Sequence, residues 1–245
     1  MDYNQEFISF DIETSAIPYE TFSESQREYL IRGAKTDEEK QKKIDEMALY
    51  PMTSQVAAIC MKIIKYTDKN ELTEKNVALM TNPELDDEET SNFQENQTYY
   101  YEANETNVIQ TFWKTLAKYK SATLISFNGR SFDAPFLMLR SAILNIIPTR
   151  NLMNGTKFNY SQHIDLLDEL TFYSNTFYGA TKRFNFDFYT KAFGLKSPKS
   201  EGVDGSKVGE LFKNKEYKVI ADYCLRDVDA TWLLYNRIKD YLFLS

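Results

Sequence analysis

The segment Ile8–Ser15, ISFDIETS, constrains the fold more than any other stretch, because its alternation specifies a strand and puts two acids on one face of it. Successive side chains of a strand point to opposite sides, so Phe10 and Ile12 share one face and Asp11 and Glu13 the other. The two carboxylates then repel one another unless a cation lies between them. A strand ending in a polar turn would account for the pair. So would a site for a hard ion such as Mg2+ or Mn2+, which takes carboxylate ligands. The segment alone leaves both readings open.

With 245 residues, 42% of them hydrophobic, the chain is long enough for a large buried core, and one domain over 1–245 is expected. No apolar run reaches membrane-span length, since VAAICMKII is interrupted by Lys62, and the polar start MDYNQE is no signal peptide. A soluble cytoplasmic protein without a membrane partner is the expectation. Cys60 and Cys224 lie far apart within apolar runs, which suits packed thiols rather than a disulfide framework or a zinc cluster. The net charge of -7 argues against indiscriminate coating of nucleic acid. The charge is uneven, however: Asn76–Trp113 contains no Lys or Arg, whereas in Lys182–Lys218 the basic residues, nearly all Lys, outnumber the acids.

Along the chain, charged helical material closed by Pro51 follows the first strand and has the look of a surface insertion near 20–50. QVAAICMKIIKY and QTYYYEA read as the second and third strands, with a polar, acidic connection near 82–97 taken as a second insertion. TNVIQTFWKTLAKY has amphipathic helical spacing, with Thr106 available as its cap. ATLISFNG suits a strand buried on both faces. A helix follows from about Asp133 to Leu144, then NYSQHIDLLDEL as a fifth strand running into a helix. A short helix stopped at Gly194 and a long closing helix complete an α/β arrangement with helices on both faces of a mixed sheet.

Two further segments carry acids that ordinary structure would explain singly. Asp133 precedes Ala134-Pro135 at a helix start, where Asp is a common cap, although strand ends of α/β sheets are also where ligands bind. Tyr223 and Asp227, four apart in DYCLRDVDA, stand one turn above the other on a helix, at the edge of its apolar arc.

Together, FDIET (Asp11, Glu13), FNGRSFDAPFL (Asn128, Phe132, Asp133) and YCLRD (Tyr223, Asp227) resemble, in order, the three motifs of DEDD-superfamily 3'-5' exonucleases. The resemblance is closest to the proofreading exonuclease domain of B-family DNA polymerases and its stand-alone bacterial relatives. It spans nearly the whole chain. The tyrosine subtype (DEDDy) is implied, because the only histidine, His163, is misplaced for the histidine subtype. The resemblance implies a ribonuclease-H-like (DnaQ-like exonuclease) fold with a mixed five-stranded sheet. It also implies two divalent ions, Mg2+ or Mn2+, held by Asp11, Glu13, Asp133 and Asp227, with Asp11 bridging and Tyr223 orienting or deprotonating the attacking water.

Motif position marks Asn128, Phe132 and Thr14 as contacts for a terminal nucleotide, and Lys199 and Lys207 are assigned to phosphate by charge and loop context. The expected substrate is the 3' end of single-stranded DNA, whose unpaired bases can stack on aromatic rings. Because no polymerase follows the last helix, a free-standing exonuclease of DNA repair or turnover is expected, with a protein partner left unidentified. The alternatives are an exoribonuclease of the same superfamily and a noncatalytic nucleic-acid-binding module. GLKSPKSEGVDGSKVGEL lacks the spacing of a phosphate-binding loop, which excludes a nucleoside triphosphatase.

Overall fold

The computed structural model describes residues 5–66, 72–174, 179–197, 205–242 and 244. Its strands are β1 (Glu6–Ala16), β2 (Ser54–Tyr66), β3 (Leu72–Thr81), β4 (Ser91–Glu95), β5 (Thr98–Ala103), β6 (Thr123–Ser126) and β7 (His163–Asp165). They form one sheet in the order β4-β5-β3-β2-β1-β6-β7. β1, β2 and β3 make an antiparallel meander, β6 and β7 extend it parallel to β1, β5 runs parallel to β3, and β4 pairs antiparallel with β5.

The sheet has seven strands where five were expected. β3 lies between QVAAICMKIIKY and the acidic connection, β4 lies within that connection, and QTYYYEA contains β5. The first residues of β3, Leu72–Lys75, are exposed and only its second half is buried, so half of the strand carries no apolar alternation. All of β4 is exposed at the sheet edge.

The helices are α1 (Glu24–Leu30), α2 (Asp37–Asp45), α3 (Glu105–Lys118), α4 (Asp133–Ile143), α5 (Leu166–Leu170), α6 (Phe186–Ala192), α7 (Val208–Lys213) and α8 (Tyr217–Leu242). Each of α1 and α2 starts at a capping box, Ser23 with Gln26 and Thr36 with Glu39, and neither buries a residue. They form the surface layer near 20–50, anchored by Met47 just beyond α2. For α3 the cap is Asn104, which accepts from the Asn107 N–H at 3.0 Å; Thr106 lies inside the first turn instead.

Helices cover both faces of the sheet. Ile8, Phe10 and Ile12 of β1 pack on one side with Phe112 and Trp113 of α3 and Phe136 of α4. Each such fully buried side chain contributes roughly 1.5–3 kcal/mol. On the other side, Ala58, Cys60 and Ala78 present small side chains to Ile220, Ala221 and Cys224 of α8. That lets the helix come close enough for the buried Ser9 hydroxyl to donate to the Val228 carbonyl at 2.9 Å. Lys62, which interrupts the apolar run of β2, faces α8 and pairs with Glu74 at 2.8 Å and Asp229 at 3.1 Å.

Candidate active site

β1 continues to Ala16, but β6 pairs with it only over Phe7–Ser9. Beyond that point the two parallel strands part, leaving a crevice at their C-terminal ends, where α/β sheets hold ligands. The separation also leaves backbone donors of β1 without a neighbouring strand. Asp133 takes one of them, its Oδ1 accepting from the Ile12 N–H at 3.0 Å. A bulge between Glu13 and Thr14 shifts the register with β2 just past the acidic pair, and pairing resumes from Thr14 to Ala16.

The chain between β6 and α4 is shaped to deliver that carboxylate. Asn128 adopts φ 65°, which Asn tolerates better than most residues, and its carbonyl accepts from the Ser131 and Phe132 N–H groups. At Gly129 an added Cβ would lie 2.3 Å from the Ser126 hydroxyl oxygen, so only glycine fits there. The buried Asp165 binds the turn from below. Its carboxylate accepts from the N–H groups of Asn128 and Arg130, each at 2.8 Å, and caps α5 through Leu167. Arg130 in turn lies 4.0 Å from the Tyr160 ring centroid and donates to the carbonyls of Leu152 and Asn154.

From the other side α8 brings Tyr223 and Asp227 against the same strand. The Cys224 thiol lies 3.4 Å from the Asp11 carbonyl oxygen and 3.7 Å from its carboxylate, and hydrogen-bonds Cys60 beneath the site. The resulting cleft, about 380 Å³, is lined by Asp11, Glu13, Asn128, Tyr223 and Asp227, and on its far wall by Phe184–Asp187.

The acids raise one another's proton affinity. Asp11 is pushed well above the carboxylate range by burial first and then by Asp133, Asp227 and Glu13. Glu13 moves the same way, through burial and then Asp227 and Asp133. Asp133 rises to about 7, again chiefly by burial, partly opposed by the Ile12 N–H. Burial and the neighbouring carboxylates raise the Tyr223 phenol as well, with Asp227 hydrogen-bonded to it. Such a cluster of mutually raised acids marks a site built to bind positive charge.

Residues 54–242 match the family described as a predicted 3'-5' exonuclease related to the exonuclease domain of PolB. The chain belongs to this family. Among solved structures, the family B DNA polymerase from the hyperthermophilic archaeon Pyrobaculum calidifontis is similar with a TM-score of 0.53 and 16% identity, over 96% of this chain. At that identity the likeness shows the fold, a ribonuclease-H-like α/β domain. The chain spans 24% of that polymerase's length. No curated protein matches the chain.

In this exonuclease relative the structure brings Asp11, Glu13, Asp133, Tyr223 and Asp227 together, with Asn128 on the cleft wall. Thr14, Phe132 and Lys207, also assigned to substrate, do not line the cleft. The Thr14 hydroxyl is turned away and donates to the Ala48 carbonyl at 2.7 Å. Phe132 is half-buried and packs on Phe136 at the edge of the core, with ring centroids 5.6 Å apart. Lys207 is exposed in a short turn before α7 and does not line the cleft. Lys199 lies outside the described residues.

Sequence reading missed Phe184, Asn185, Phe186 and Asp187. Around a short helix such aromatics look like core residues, and only the tertiary position of α6 makes them a wall. No helix among the described residues is long and apolar enough to cross a membrane.

Proposed function

We propose that this protein is a metal-dependent 3'-5' exonuclease of the tyrosine subtype, acting as one domain over 1–245 and removing nucleotides from the 3' ends of single-stranded DNA. The observation that carries this reading is the meeting of Asp11, Glu13, Asp133 and Asp227, from three separate segments, beside one open cleft. DNA is favoured over RNA because the family is related to a DNA polymerase's exonuclease domain.

The donor set fits hard divalent ions. It offers carboxylate oxygens, and the one soft donor nearby, Cys224, is kept protonated by burial and then by Cys60. Asp11, Glu13, Asp133 and Asp227 would hold two Mg2+ or Mn2+ ions, which when bound supply an activated water and stabilise the leaving 3'-oxygen. The chain's own groups do the positioning. Asp133 is held by the Ile12 N–H, Asp227 stands on α8, and Tyr223, hydrogen-bonded to Asp227, would orient or deprotonate the attacking water.

Removing that hydroxyl with Tyr223→Phe takes away one charge-assisted hydrogen bond and no metal ligand. Turnover is expected to fall about 10- to 100-fold. Wild-type turnover in this variant would remove Tyr223 from the mechanism.

The direct test is digestion of a 5'-labelled single-stranded DNA oligonucleotide with Mg2+ or Mn2+, beside RNA of the same sequence and an Asp11→Ala control. A metal-dependent ladder shortening from the 3' end of DNA, absent in the control, is the expected result. Preferential shortening of RNA would turn the reading to an exoribonuclease, and shortening of neither to a binding module.

A further inference from the structure

Phe184 and Phe188 form an exposed aromatic pair at the mouth of the cleft. Their rings lie 4.4 Å apart at 15°, face to face, and remain 37% and 55% exposed. Phe184 lines the cleft beside the carboxylates, whereas Phe188 lies outside the lining and continues the stack away from it. Lys182 places its ammonium 5.3 Å from the Phe184 ring centroid.

Local helix chemistry explains only part of this arrangement. Phe184 precedes the cap residue Asn185 and meets Tyr189 edge-on at 6.2 Å, which is the packing of a hydrophobic staple. A staple accounts for Phe184 and Tyr189, but gives Phe188 no reason to be aromatic and turned to solvent.

The pair also stands on a fixed base. Arg183, next to Phe184, is bound to the buried Asp168 at 3.2 Å. Phe186 and Tyr189 pack on Phe127, at 4.5 Å and 5.7 Å between ring centroids. Asp187 accepts from the Ser197 hydroxyl and from Lys191. Exposed rings held rigidly, flanked by a cation and continuous with a cleft built for a phosphodiester, match the chemistry of unpaired bases. Such bases stack on aromatic faces regardless of sequence while their phosphates seek basic groups.

We propose that Phe184 and Phe188 are the stacking platform for the unpaired bases that precede the 3'-terminal nucleotide of single-stranded DNA. The inference rests on the exonuclease reading for the direction of the strand. Duplex DNA, whose bases are already stacked on one another, gains nothing from the pair, so the platform selects frayed or single-stranded ends.

The test is fluorescence anisotropy of 5'-labelled oligodeoxythymidylates of two to six nucleotides, with Ca2+ in place of Mg2+ or Mn2+. Wild-type protein should bind more tightly as the oligonucleotide lengthens past two nucleotides. The Phe184→Ala/Phe188→Ala variant should lose that gain, with the longest oligonucleotide bound about tenfold or more weakly. Phe184→Tyr/Phe188→Tyr should keep it, and unfolding curves of both variants check that α6 is still formed. An alanine pair that retains the length gain, a tyrosine pair that loses it equally, or a wild type without any length gain overturns the platform. Shortening of the same oligonucleotides by wild type with Mg2+ or Mn2+ reports separately on the exonuclease reading, so either idea can fail without the other.

Discussion

Asp11→Asn is expected to abolish 3'-end shortening while making the metal-free protein more stable than wild type. The loss follows from the proposed metal role, in which Asp11 would supply a carboxylate to the divalent ions; several kcal/mol of transition-state stabilisation is about a thousandfold or more in rate. The gain follows from electrostatics. Asp11 is half-buried with Glu13, Asp133 and Asp227 around it, and each raises its proton affinity. The folded state therefore binds protons more tightly than the unfolded chain, and the neutral amide removes one of the repelling charges without opening a cavity.

The same cluster sets a pH dependence. For Asp133, raised to about 7, the favourable contribution is complete below the unfolded value of about 3.9 and is lost as pH rises through the folded value. His163 acts in the opposite sense. Burial first, then Arg130 and Arg150, lower it to about 3, so its contribution is present above about pH 6.5 and lost as pH falls. From about pH 6.5 upward the His163 contribution is nearly complete while the raised carboxyl groups of the folded protein still lose protons, so stability in EDTA should fall between about pH 6.5 and 8. Thermal unfolding of wild type and Asp11→Asn, with EDTA and with Mg2+, checks both parts. A gain of about 1 kcal/mol would raise the midpoint by about 2–4 °C. A variant less stable than wild type in EDTA, or one that still shortens DNA, would contradict the assignment.

Local pattern was legible wherever one face of an element is buried along its whole length. The alternation of β1 separates Phe10 and Ile12 from Asp11 and Glu13, and in the structure those two sets face α3 and α8. The spacing of Tyr223 and Asp227 set them on one face of a helix, and α8 carries them to the cleft. Where burial covers only part of an element, the signal failed. β3 hides its second half alone, and β4 is an exposed edge strand held by backbone pairing with β5.

Side chains whose role depends on a distant neighbour were illegible for another reason. Thr14 sits directly after the acidic pair, yet the bulge beside it turns its hydroxyl toward Ala48. Cys60 and Cys224, remote in sequence, meet because β2 and α8 are packed together under the site. Phe184–Asp187 become a cleft wall only through the placement of α6, which no local periodicity encodes.

Arg140 was equally silent in the sequence, and its removal should have the largest effect on stability. Its side chain is 6% exposed and that of its partner Glu105 11%, so both charges have left most of their water. Within that setting the guanidinium donates to both oxygens of Glu105, at 2.9 Å and 2.5 Å, and to the Pro51 carbonyl at 3.0 Å. Glu105 also accepts from the Val56 N–H at 2.8 Å. One ion pair thus joins the start of α3, the last part of α4, β2 and the loop before it.

Arg140→Ala strands the Glu105 carboxylate in a space with little water and leaves the Pro51 carbonyl without this donor. The expected cost is about 3–5 kcal/mol, a large share of the roughly 5–15 kcal/mol that holds a domain folded. Replacing both charges, Arg140→Met with Glu105→Gln, should recover much of the loss, because the amide can still accept from Val56 and no charge is buried. Urea unfolding midpoints of the single and double variants measure the difference. A single-variant cost below about 1 kcal/mol, in the range of an exposed ion pair, would mean that water reaches Glu105 and that the pair does not hold α4 to β2.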